Sequence, residues 1–491
     1  MKGDDGGMAM KGFTRRFEPL KLIPDSQVEE IHRATLGVLQ RTGVRFESKR
    51  ALKLFEKNGC IVDHDTGLVK FPPHLVEECL RITPSSFYWK ARDSSRDLLV
   101  GGNTVYFCSF PGKNIVDLDT WEPRTATRKE NEEGIVVLDA LENLHVISPY
   151  TPYFEIEDVP PVMTMVESVA NKIKNSSKLF FDGHQQESEI FIIQMGQAVG
   201  MEIQGMFEAA PPLTYYEDAV NAAFRYLGEA NLPLHITAAG IMGGTGPATI
   251  AGSIVTGNAE LIAGIVLSQL IKPGARIIAC DFIMPQDMRS GFPAFGAIEA
   301  SLHAAAFNQI WRKYQIPIQT ISCALPSSKK IDFQNGYEKS MAALISALTG
   351  AHIVQLHGGV HGELTYHPVQ SILDDDIAGM IGRFMEGVNV TDETLALDLI
   401  HEVGPIPGMF LDRNHTRLWW KKEQFIPKVA DRMPYPEWLE MGKKDAVDHA
   451  KKRMEEILAT HKPTPLTVGQ EKEIDRILRE AKKYFKKKGL C

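Results

Sequence analysis

From residue 104 onward, short apolar segments alternate with segments of helical periodicity, and this alternation restricts the possible folds more than any other feature. Eight apolar segments have the length and composition of buried strands: 105–110, 145–153, 179–184, 206–212, 234–240, 277–284, 318–325 and 353–360. A helical segment follows each of them: 128–141, 161–174, 187–199, 217–227, 249–270, 296–314, 333–348 and 372–386. Parallel strands joined by helices need right-handed crossovers, and eight such units are the number that closes a (β/α)8 barrel. The alternation therefore predicts an α/β protein with a TIM barrel over residues 104–390, and a doubly wound open sheet is the alternative.

The residues on either side of the predicted barrel lack this alternation. Residues 1–20 begin with a Gly-, Met- and Lys-rich stretch, and we expect a disordered start. Residues 21–103 combine helical segments with a short hairpin whose turn is Asp-Thr-Gly at 65–67, which predicts an N-terminal α+β cap. Residues 391–491 begin a new helix and become mostly charged, which predicts a C-terminal helical extension.

Composition and charge exclude several classes of protein. The net charge of −8 gives no positive surface for nucleic acid. No uncharged apolar segment of 18 residues occurs, and residues 1–12 lack the apolar region of a signal peptide, so we expect a soluble, cytoplasmic chain without a membrane partner. The six cysteines are scattered without a Cys-x-x-Cys pair, which favours reduced thiols over disulfides or a zinc framework.

Aromatic residues recur near the ends of the predicted strands, where the active site of a TIM barrel lies. Our candidates for a substrate-binding cage are Phe110, Tyr153, Phe181 and Phe292. The faces of aromatic rings attract a quaternary ammonium ion, and the rings exclude water from around it. The alternative for each ring is a packing role in the core or the cap. The recurrence of rings at most of the strand ends favours a site for a bulky cation.

Polar residues cluster around the last two predicted strands. Gln334 and Tyr337 lie in the helix that follows the seventh strand, whereas His357, His361 and Glu363 lie at the end of the eighth. Two histidines and a carboxylate suit zinc or iron, which would make the chain a metal-dependent hydrolase or lyase. Barrels of that class usually carry His-x-His on the first strand, and no His-x-His occurs in this sequence. The second interpretation is that this group of residues binds the substrate, with histidines donating hydrogen bonds to a carboxylate.

A glycine-rich turn at 243–249 follows a predicted strand and opens a helix, as an anion-binding loop does. It lacks the Lys-Ser or Lys-Thr of a P-loop, and its glycines do not have the spacing of a dinucleotide fingerprint. Tight loop geometry in a barrel explains the turn at least as well. No strand is followed by a Gly-x-Gly-x-Gly turn, which disfavours a SAM-dependent enzyme.

Several longer motifs occur together in the C-terminal third of the chain. They are Asp332-x-Gln334-x2-Tyr337-Glu338-Lys339, Ile377-x-Gly379-Met380-Ile381 after acidic residues, Thr394-Leu395-Ala396-Leu397-Asp398-x-Ile400-x-Glu402-Val403-Gly404, Phe410-Leu411-x3-His415-Thr416 and Pro427-x3-Asp431-Arg432. With these motifs the chain resembles the trimethylamine methyltransferase family, and in particular its members without pyrrolysine. The order of strands and helices from residue 20 onward fits the same family.

The resemblance implies a TIM barrel that passes a methyl group from a methylamine to the cobalt of a separate corrinoid protein. The trimethylamine enzymes carry pyrrolysine near the end of the seventh strand, which corresponds roughly to 327–330, and this sequence has ordinary residues there. The difference implies a quaternary amine that is already a methyl donor, with glycine betaine as the simplest example. The expected reaction is an in-line displacement by cob(I)alamin that needs no acid, base or nucleophile from the chain.

The resemblance also indicates binding roles and partners. The four rings are expected to surround the trimethylammonium group, and the carboxylate is expected to contact Gln334, His357 and His361. The corrinoid signature Asp-x-His-x2-Gly is missing, since Asp182-Gly183-His184 is not followed by the glycine, so we expect cob(I)alamin to be supplied by a partner corrinoid protein. We expect no bound metal, and we expect a homo-oligomer. A non-catalytic betaine-binding or corrinoid-partner protein is the remaining alternative.

Overall fold

Eight parallel strands form a closed barrel in the computed structural model, which describes residues 12–321 and 325–491. The strands are β1 (Thr104–Ser109), β2 (Val146–Ile147), β3 (Leu179–Asp182), β4 (Gln204–Ala209), β5 (Leu234–Ala238), β6 (Ile277–Asp281), β7 (Ile318–Thr320) and β8 (Ile353–His357). Each strand pairs with the next, and β8 pairs in parallel with β1 through Ile353 and Tyr106. The prediction of a TIM barrel is therefore confirmed, and the alternative of an open sheet is wrong.

Helices cover the outside of the barrel. They are α1 (Arg128–Ala140), α2 (Pro161–Asn175), α3 (Glu189–Val199), α4 (Glu217–Ala223), α5 (Ile250–Ile271), α6 (Ile298–Lys313), α7 (Phe333–Thr349) and α8 (Pro368–Met385). A π-helical turn, Phe224–Glu229, continues α4. Helix α5 is long and apolar enough to cross a membrane, but 72% of its apolar window is buried inside the protein, as expected of a core helix.

The strands begin where the sequence predicts but end earlier, by up to six residues in β2. The reason is that the apolar pattern continues into the loops after the strands. Phe110 after β1, Tyr150 after β2 and Phe282 after β6 are apolar because they line a cavity and not because they belong to the sheet. Hydrophobic periodicity alone does not separate these two causes.

A hairpin of strands Ser86–Trp89 and Leu98–Gly101 closes the N-terminal end of the barrel. Its inward side chains form one buried cluster with the beginnings of the barrel strands, among them Val146 and Ile353. The indole Nε1 of the fully buried Trp89 donates a hydrogen bond of 2.8 Å to the Glu202 carbonyl. This end of the barrel is therefore part of the hydrophobic core.

The N-terminal residues pack against the outside of the barrel. The helix Asp25–Gly37 precedes a small sheet, in which Ile61–Asp63 and Leu68–Lys70 form the predicted hairpin. The expected disordered start differs from what the structure shows for residues 12–20, because Phe13–Thr14 pairs antiparallel with β1. Residues 1–11 of that predicted segment lie outside the described residues.

The C-terminal residues are helical, but they divide into two kinds of segment. The helices Ala446–Thr460 and Val468–Lys487 pack on the barrel with buried residues such as Ile457 and Ile474. Four shorter helices precede them: Asp392–Leu395, Leu397–Val403, Asn414–Glu423 and Tyr435–Glu440. Val403 is the buried residue within these four helices.

Candidate functional site

A cavity of about 200 Å³ opens at the C-terminal end of the barrel strands. Its aromatic lining consists of Phe110, Tyr150, Phe154, Phe181 and Phe282. Its titratable or amide-bearing lining consists of His184, Glu208, His235, Gln355 and Glu363. These residues come from β4, β5 and β8, from the end of β3, and from the loops after β1, β2, β3, β6 and β8, so the whole circumference of the barrel builds the site.

The aromatic rings pack against one another and leave faces and edges toward the cavity. Tyr150 and Phe154 meet edge to face with centroids 4.8 Å apart, and Phe110 meets Phe282 in the same way at 6.4 Å. Phe181 stacks on the imidazole of His235 at 4.4 Å. Tyr150 has a left-handed backbone (φ 54°), which is costly outside glycine and indicates that the surrounding loop fixes this ring. Ring contacts of this kind hold the walls of the cavity in one shape.

Two carboxylates face the cavity without a counter-charge. Burial raises the pKa of Glu208, and the nearby Glu363 raises it further. Burial also raises the pKa of Glu363. Among the described residues, neither carboxylate has a hydrogen bond or an ion pair to its side-chain oxygens. A desolvated, unpaired carboxylate is unfavourable, so both groups would be stabilised by a bound cation.

The two histidines of the cavity are uncharged at neutral pH. Burial lowers the pKa of His184 to about 4 and that of His235 to about 3. Nδ1 of His235 lies 3.0 Å from the hydroxyl of Thr237, whereas Nε2 of His184 is buried and has no hydrogen-bond partner in the described part of the chain. The imidazoles therefore supply polar atoms to the cavity but no positive charge.

Gln355 is held in place by hydrogen bonds inside the barrel. Its Nε2 donates to the Ser109 carbonyl at 2.7 Å, and its Oε1 accepts from Nε2 of Gln319 at 3.1 Å. Since both amide ends are engaged, this side chain forms a fixed part of the cavity floor.

A fully buried ion pair holds the loops after β2 and β3. Nζ of Lys172 on α2 lies 2.8 Å from Asp182, and both side chains are inaccessible to solvent. The same ammonium donates to the Ser148 carbonyl, and Asp182 accepts from the amide of Gly183. The pair thus joins the two chain segments that carry Tyr150 and His184.

A second buried ion pair holds the loop after β8. Nζ of Lys339 on α7 lies 2.7 Å from Asp374 on α8 and also donates to the carbonyl of Gly359. Asp374 accepts a hydrogen bond from the amide of Gly358. The segment that leads to Glu363 is therefore tied to two helices.

The structure brings three of the nine sequence-predicted site residues to the cavity. They are Phe110, Phe181 and Glu363. The six that do not line it are Tyr153, Phe292, Gln334, Tyr337, His357 and His361. Contact of those six with a substrate stays a prediction, and for the carboxylate role of Gln334, His357 and His361 the placement offers no support.

Four of these six residues lie elsewhere, in the core, on the surface or in a hydrogen bond within a helix. Tyr153 is fully buried and packs edge to face on Tyr366. Phe292 is 72% exposed on the surface, and Tyr337 is 44% exposed. The amide of Gln334 donates a hydrogen bond to Glu338 one helical turn away.

His357 is turned out of the barrel by an irregularity in β8. The pairing register with β1 shifts between Gln355 and His357, so the alternation of side chains is broken at that point. His357 is fully buried between Phe107 and Asp375, with Nε2 3.5 Å from the carboxylate. A sequence pattern cannot show such a bulge, because it changes the direction of a side chain without changing the apolar pattern.

The metal-site alternative finds no geometric support. In residues 12–321 and 325–491, no group of three or more His, Cys, Asp or Glu side chains is placed to hold a metal ion. The predicted triad is not assembled, because Glu363 lines the cavity while His357 lies behind β8. His361 is half-buried beside Lys329, which together with burial lowers its pKa.

Four of the cavity residues that the sequence prediction missed share one signal. Glu208, His235, Thr237 and Gln355 are polar residues within otherwise apolar strands. A polar side chain in a strand of a closed barrel avoids the packed outer layer by pointing into the barrel interior. That pattern could have identified them, whereas His184 and Tyr150 stand at the predicted strand ends.

A closed parallel barrel with a ring-lined cavity at its C-terminal face, which carries two carboxylates, defines a TIM-barrel protein with its candidate site at the usual end of the barrel. Residues 2–484 match the family described as trimethylamine methyltransferase (MTTB), and the chain belongs to this family. It is an enzyme of the trimethylamine and glycine betaine methyltransferase kind.

Two bacterial relatives and one archaeal relative illustrate the match. The chain is 31% identical to a glycine betaine methyltransferase of Desulfitobacterium hafniense (strain Y51), over 91% of this chain and 94% of the relative. It is 30% identical to the trimethylamine methyltransferase MttB of another strain of that species, DSM 10664 / DCB-2, over 90% of each chain. The trimethylamine methyltransferase MttB of Methanosarcina barkeri is 27% identical over 95% of this chain and 96% of its own.

A solved structure with a similar arrangement is a dihydropteroate synthase from Xanthomonas albilineans. Its TM-score is 0.36 at 13% identity, and the match covers 62% of this chain and 99% of the synthase.

Proposed function

We propose that this enzyme transfers a methyl group from a quaternary amine to the cob(I)alamin of a separate corrinoid protein. The observation that carries the proposal is the ring-lined cavity with two unpaired carboxylates, Glu208 and Glu363. A quaternary ammonium ion is large, apolar on its surface and permanently positive, so it needs aromatic faces and nearby negative charge.

The chain contributes position and a site shielded from water. With the ammonium group against Phe181 and the carboxylates, one N-methyl carbon would be directed toward the open end of the barrel. The reduced cobalt of the partner attacks that carbon, the C–N bond breaks, and the electron pair stays on the nitrogen of the departing tertiary amine. Holding the two reacting groups in this orientation can give an effective molarity of roughly 10^5 M or more.

Glycine betaine is the simplest substrate that the resemblance to the family implies, and one relative has that substrate in its name. It is therefore the reference compound in any assay. We also propose that the enzyme acts in the cytoplasm and without nucleic acid as a partner, in line with its net charge of −8.

A homo-oligomer is part of the same proposal. Between residues 388 and 441 the chain exposes many large apolar side chains, among them Ile406 (96% exposed) and Leu411 (79% exposed). Apolar surface of this extent on one segment is typical of an interface between subunits.

The test is an anaerobic incubation of the enzyme with cob(I)alamin and a panel of quaternary amines, followed by absorbance. We expect the cob(I)alamin band to be replaced by that of methylcob(III)alamin when a substrate is added. Binding of an amine without any change in the cobalamin spectrum, with both free cofactor and a loaded corrinoid protein, would favour a non-catalytic binding protein and contradict the proposal.

A further inference from the structure

The charge of the cavity restricts which quaternary amine it can hold. Among the described residues, no lysine or arginine lines the cavity, and its two histidines are uncharged at neutral pH. The sequence Ser-Cys-Ala at 322–324 contains no basic residue either. Any charge that the described lining carries at neutral pH therefore comes from the carboxylates of Glu208 and Glu363.

Three basic residues in the segments around the cavity are already paired. Lys172 is bound to Asp182 at 2.8 Å in a fully buried contact. Arg225 contacts Glu189 and lies 3.0 Å from Glu187, next to the loop that carries His184. On the rim, Lys113 lies 3.3 Å from Glu155. Lys329 lies near His361 but does not line the cavity, so a carboxylate on the substrate would meet two acids and no base within the cavity.

Resting on the proposed function, we infer that the substrate is a quaternary ammonium ion without a carboxylate. Glu208 and Glu363 balance its positive charge, and the rings of Phe181 and Tyr150 contact its methyl groups. A betaine would bring a negative group into the same acidic cavity, where a like charge is strongly disfavoured.

The rest of the substrate is neutral and can carry a hydroxyl group. The buried Nε2 of His184 has no hydrogen-bond partner in the described chain, and Thr237, whose hydroxyl lies 3.0 Å from Nδ1 of His235, also lines the cavity. An uncharged imidazole nitrogen can donate to or accept from an alcohol. Choline-type cations and tetraalkylammonium ions therefore fit the lining better than glycine betaine does.

The pH dependence of substrate affinity separates the two classes. The titratable groups that line the cavity beside the two carboxylates are Tyr150, His184 and His235. Asp182 lies near Tyr150 but is held in its buried ion pair with Lys172. The imidazoles are already neutral, and burial raises the pKa of Tyr150, so the two glutamates, whose pKa values burial also raises, are the lining groups expected to control the charge of the cavity. Since a bound cation favours the ionised carboxylates, KM for choline should fall as pH rises through their raised pKa values. KM for glycine betaine should stay constant or rise.

The experiment compares choline, tetramethylammonium and glycine betaine as methyl donors to cob(I)alamin, with calorimetric binding measured in parallel. We expect kcat/KM and affinity for the two carboxylate-free cations to exceed those for glycine betaine by at least about tenfold, which corresponds to about 1.4 kcal/mol. Faster transfer from glycine betaine would overturn the inference and leave the proposed function intact. Preferential binding of choline with no methyl transfer from any amine would support the charge inference and overturn the proposed function.

Isosteric variants test the cause of the preference. Glu363→Gln and Glu208→Gln keep the side-chain volume and remove the charge, so KM for choline should rise about tenfold while KM for glycine betaine stays constant or falls. The matched control is Glu29→Gln on the outside of the barrel, which removes an exposed ion pair with Lys313 and should change neither value. Equal losses for both substrates in the cavity variants would show a structural effect and contradict the inference, and thermal unfolding of each variant would identify a folding defect.

Discussion

The two ends of the barrel are built from the same strands but have opposite character. On β2, Val146 lies in the apolar cluster at the N-terminal end, and Ser148, two residues further along, lines the cavity. On β8, Ile353 and Gln355 show the same change over the same distance. Residues two apart point to the same side of a strand. A single row of inward-facing side chains therefore belongs to the hydrophobic core at the beginning of the strand and lines the cavity at its end. One end of the barrel provides stability and the other provides chemistry.

The largest expected effect is on stability, from a change at the closed end. Trp89→Ala would leave a cavity under the hairpin and remove the hydrogen bond to Glu202, at a cost of about 4 kcal/mol in the free energy of unfolding. We expect only a small change in the substrate KM of the protein that remains folded, because most of the cavity lining lies outside the cluster that contains Trp89, with Phe181 shared between the two. Chemical denaturation and steady-state assays of the same sample check both points. A large rise in KM would show that the two ends are coupled.

Asp374→Asn tests a contact that serves both stability and the site. The substitution leaves Lys339 buried without its counter-charge and weakens the bond to Gly358, which should lower the free energy of unfolding by about 3 kcal/mol. Because these groups hold the loop that leads to Glu363, we also expect kcat/KM to fall in the folded fraction. Denaturation and kinetics of Lys313→Gln, which removes an exposed ion pair with Glu29, provide the control. Normal kinetics in the Asp374 variant would mean that the loop keeps its position without the pair.

A pH titration of stability probes the closed end through His352. Its Nδ1 accepts from the Ile318 amide and its Nε2 donates to the Gly102 carbonyl, a pattern that only the neutral ring can make. Burial lowers its pKa from 6.5 to about 3, so its contribution is complete above pH 6.5 and is lost as pH falls toward 3. At pH 5 this loss amounts to about 2 kcal/mol. Denaturant unfolding of the wild type and of His352→Gln at pH 7 and pH 5 should show a smaller pH effect in the variant, and an equal effect would exclude His352 as the cause.

The closed end and the open end also differ in how well the sequence predicts them. The strand and helix order and the barrel of eight units follow from periodicity, and the resemblance to the family implied the same fold. The hairpin of Ser86–Trp89 was missed, because its alternating residues are too few to stand out from the surrounding segments. At the open end, Phe110 and Phe181 could be predicted from their positions at strand ends. The outward turn of His357 could not, because it depends on a register shift between two paired strands.

Phe181→Leu tests the aromatic wall of the cavity with a modest effect on the fold. Leucine keeps most of the apolar volume but removes the ring face and the stacking on His235, so we expect a loss of about 1.5 kcal/mol in cation binding, roughly tenfold in KM. The melting temperature should change by only a few degrees. The comparison variant is Phe292→Leu, whose ring is 72% exposed and outside the cavity. If the Phe292 variant has the larger KM, the ring that contacts the cation is Phe292, in the loop after β6, and not Phe181.

The smallest expected effect on stability comes from the exposed segment between residues 388 and 441, which belongs to neither end of the barrel. Ile406 is 96% exposed, so Ile406→Asp should change the unfolding free energy of a single subunit by less than about 0.5 kcal/mol. A charge in an apolar contact between subunits is costly, so the same substitution should reduce the molecular mass measured by light scattering at low protein concentration. Glu402→Gln in the neighbouring helix, where Glu402 pairs with Arg413 on the surface, is the matched polar control. An unchanged molecular mass for the Ile406 variant would show that this residue lies outside the interface. A reduced mass with unchanged kinetics would show that each barrel carries a complete site of its own.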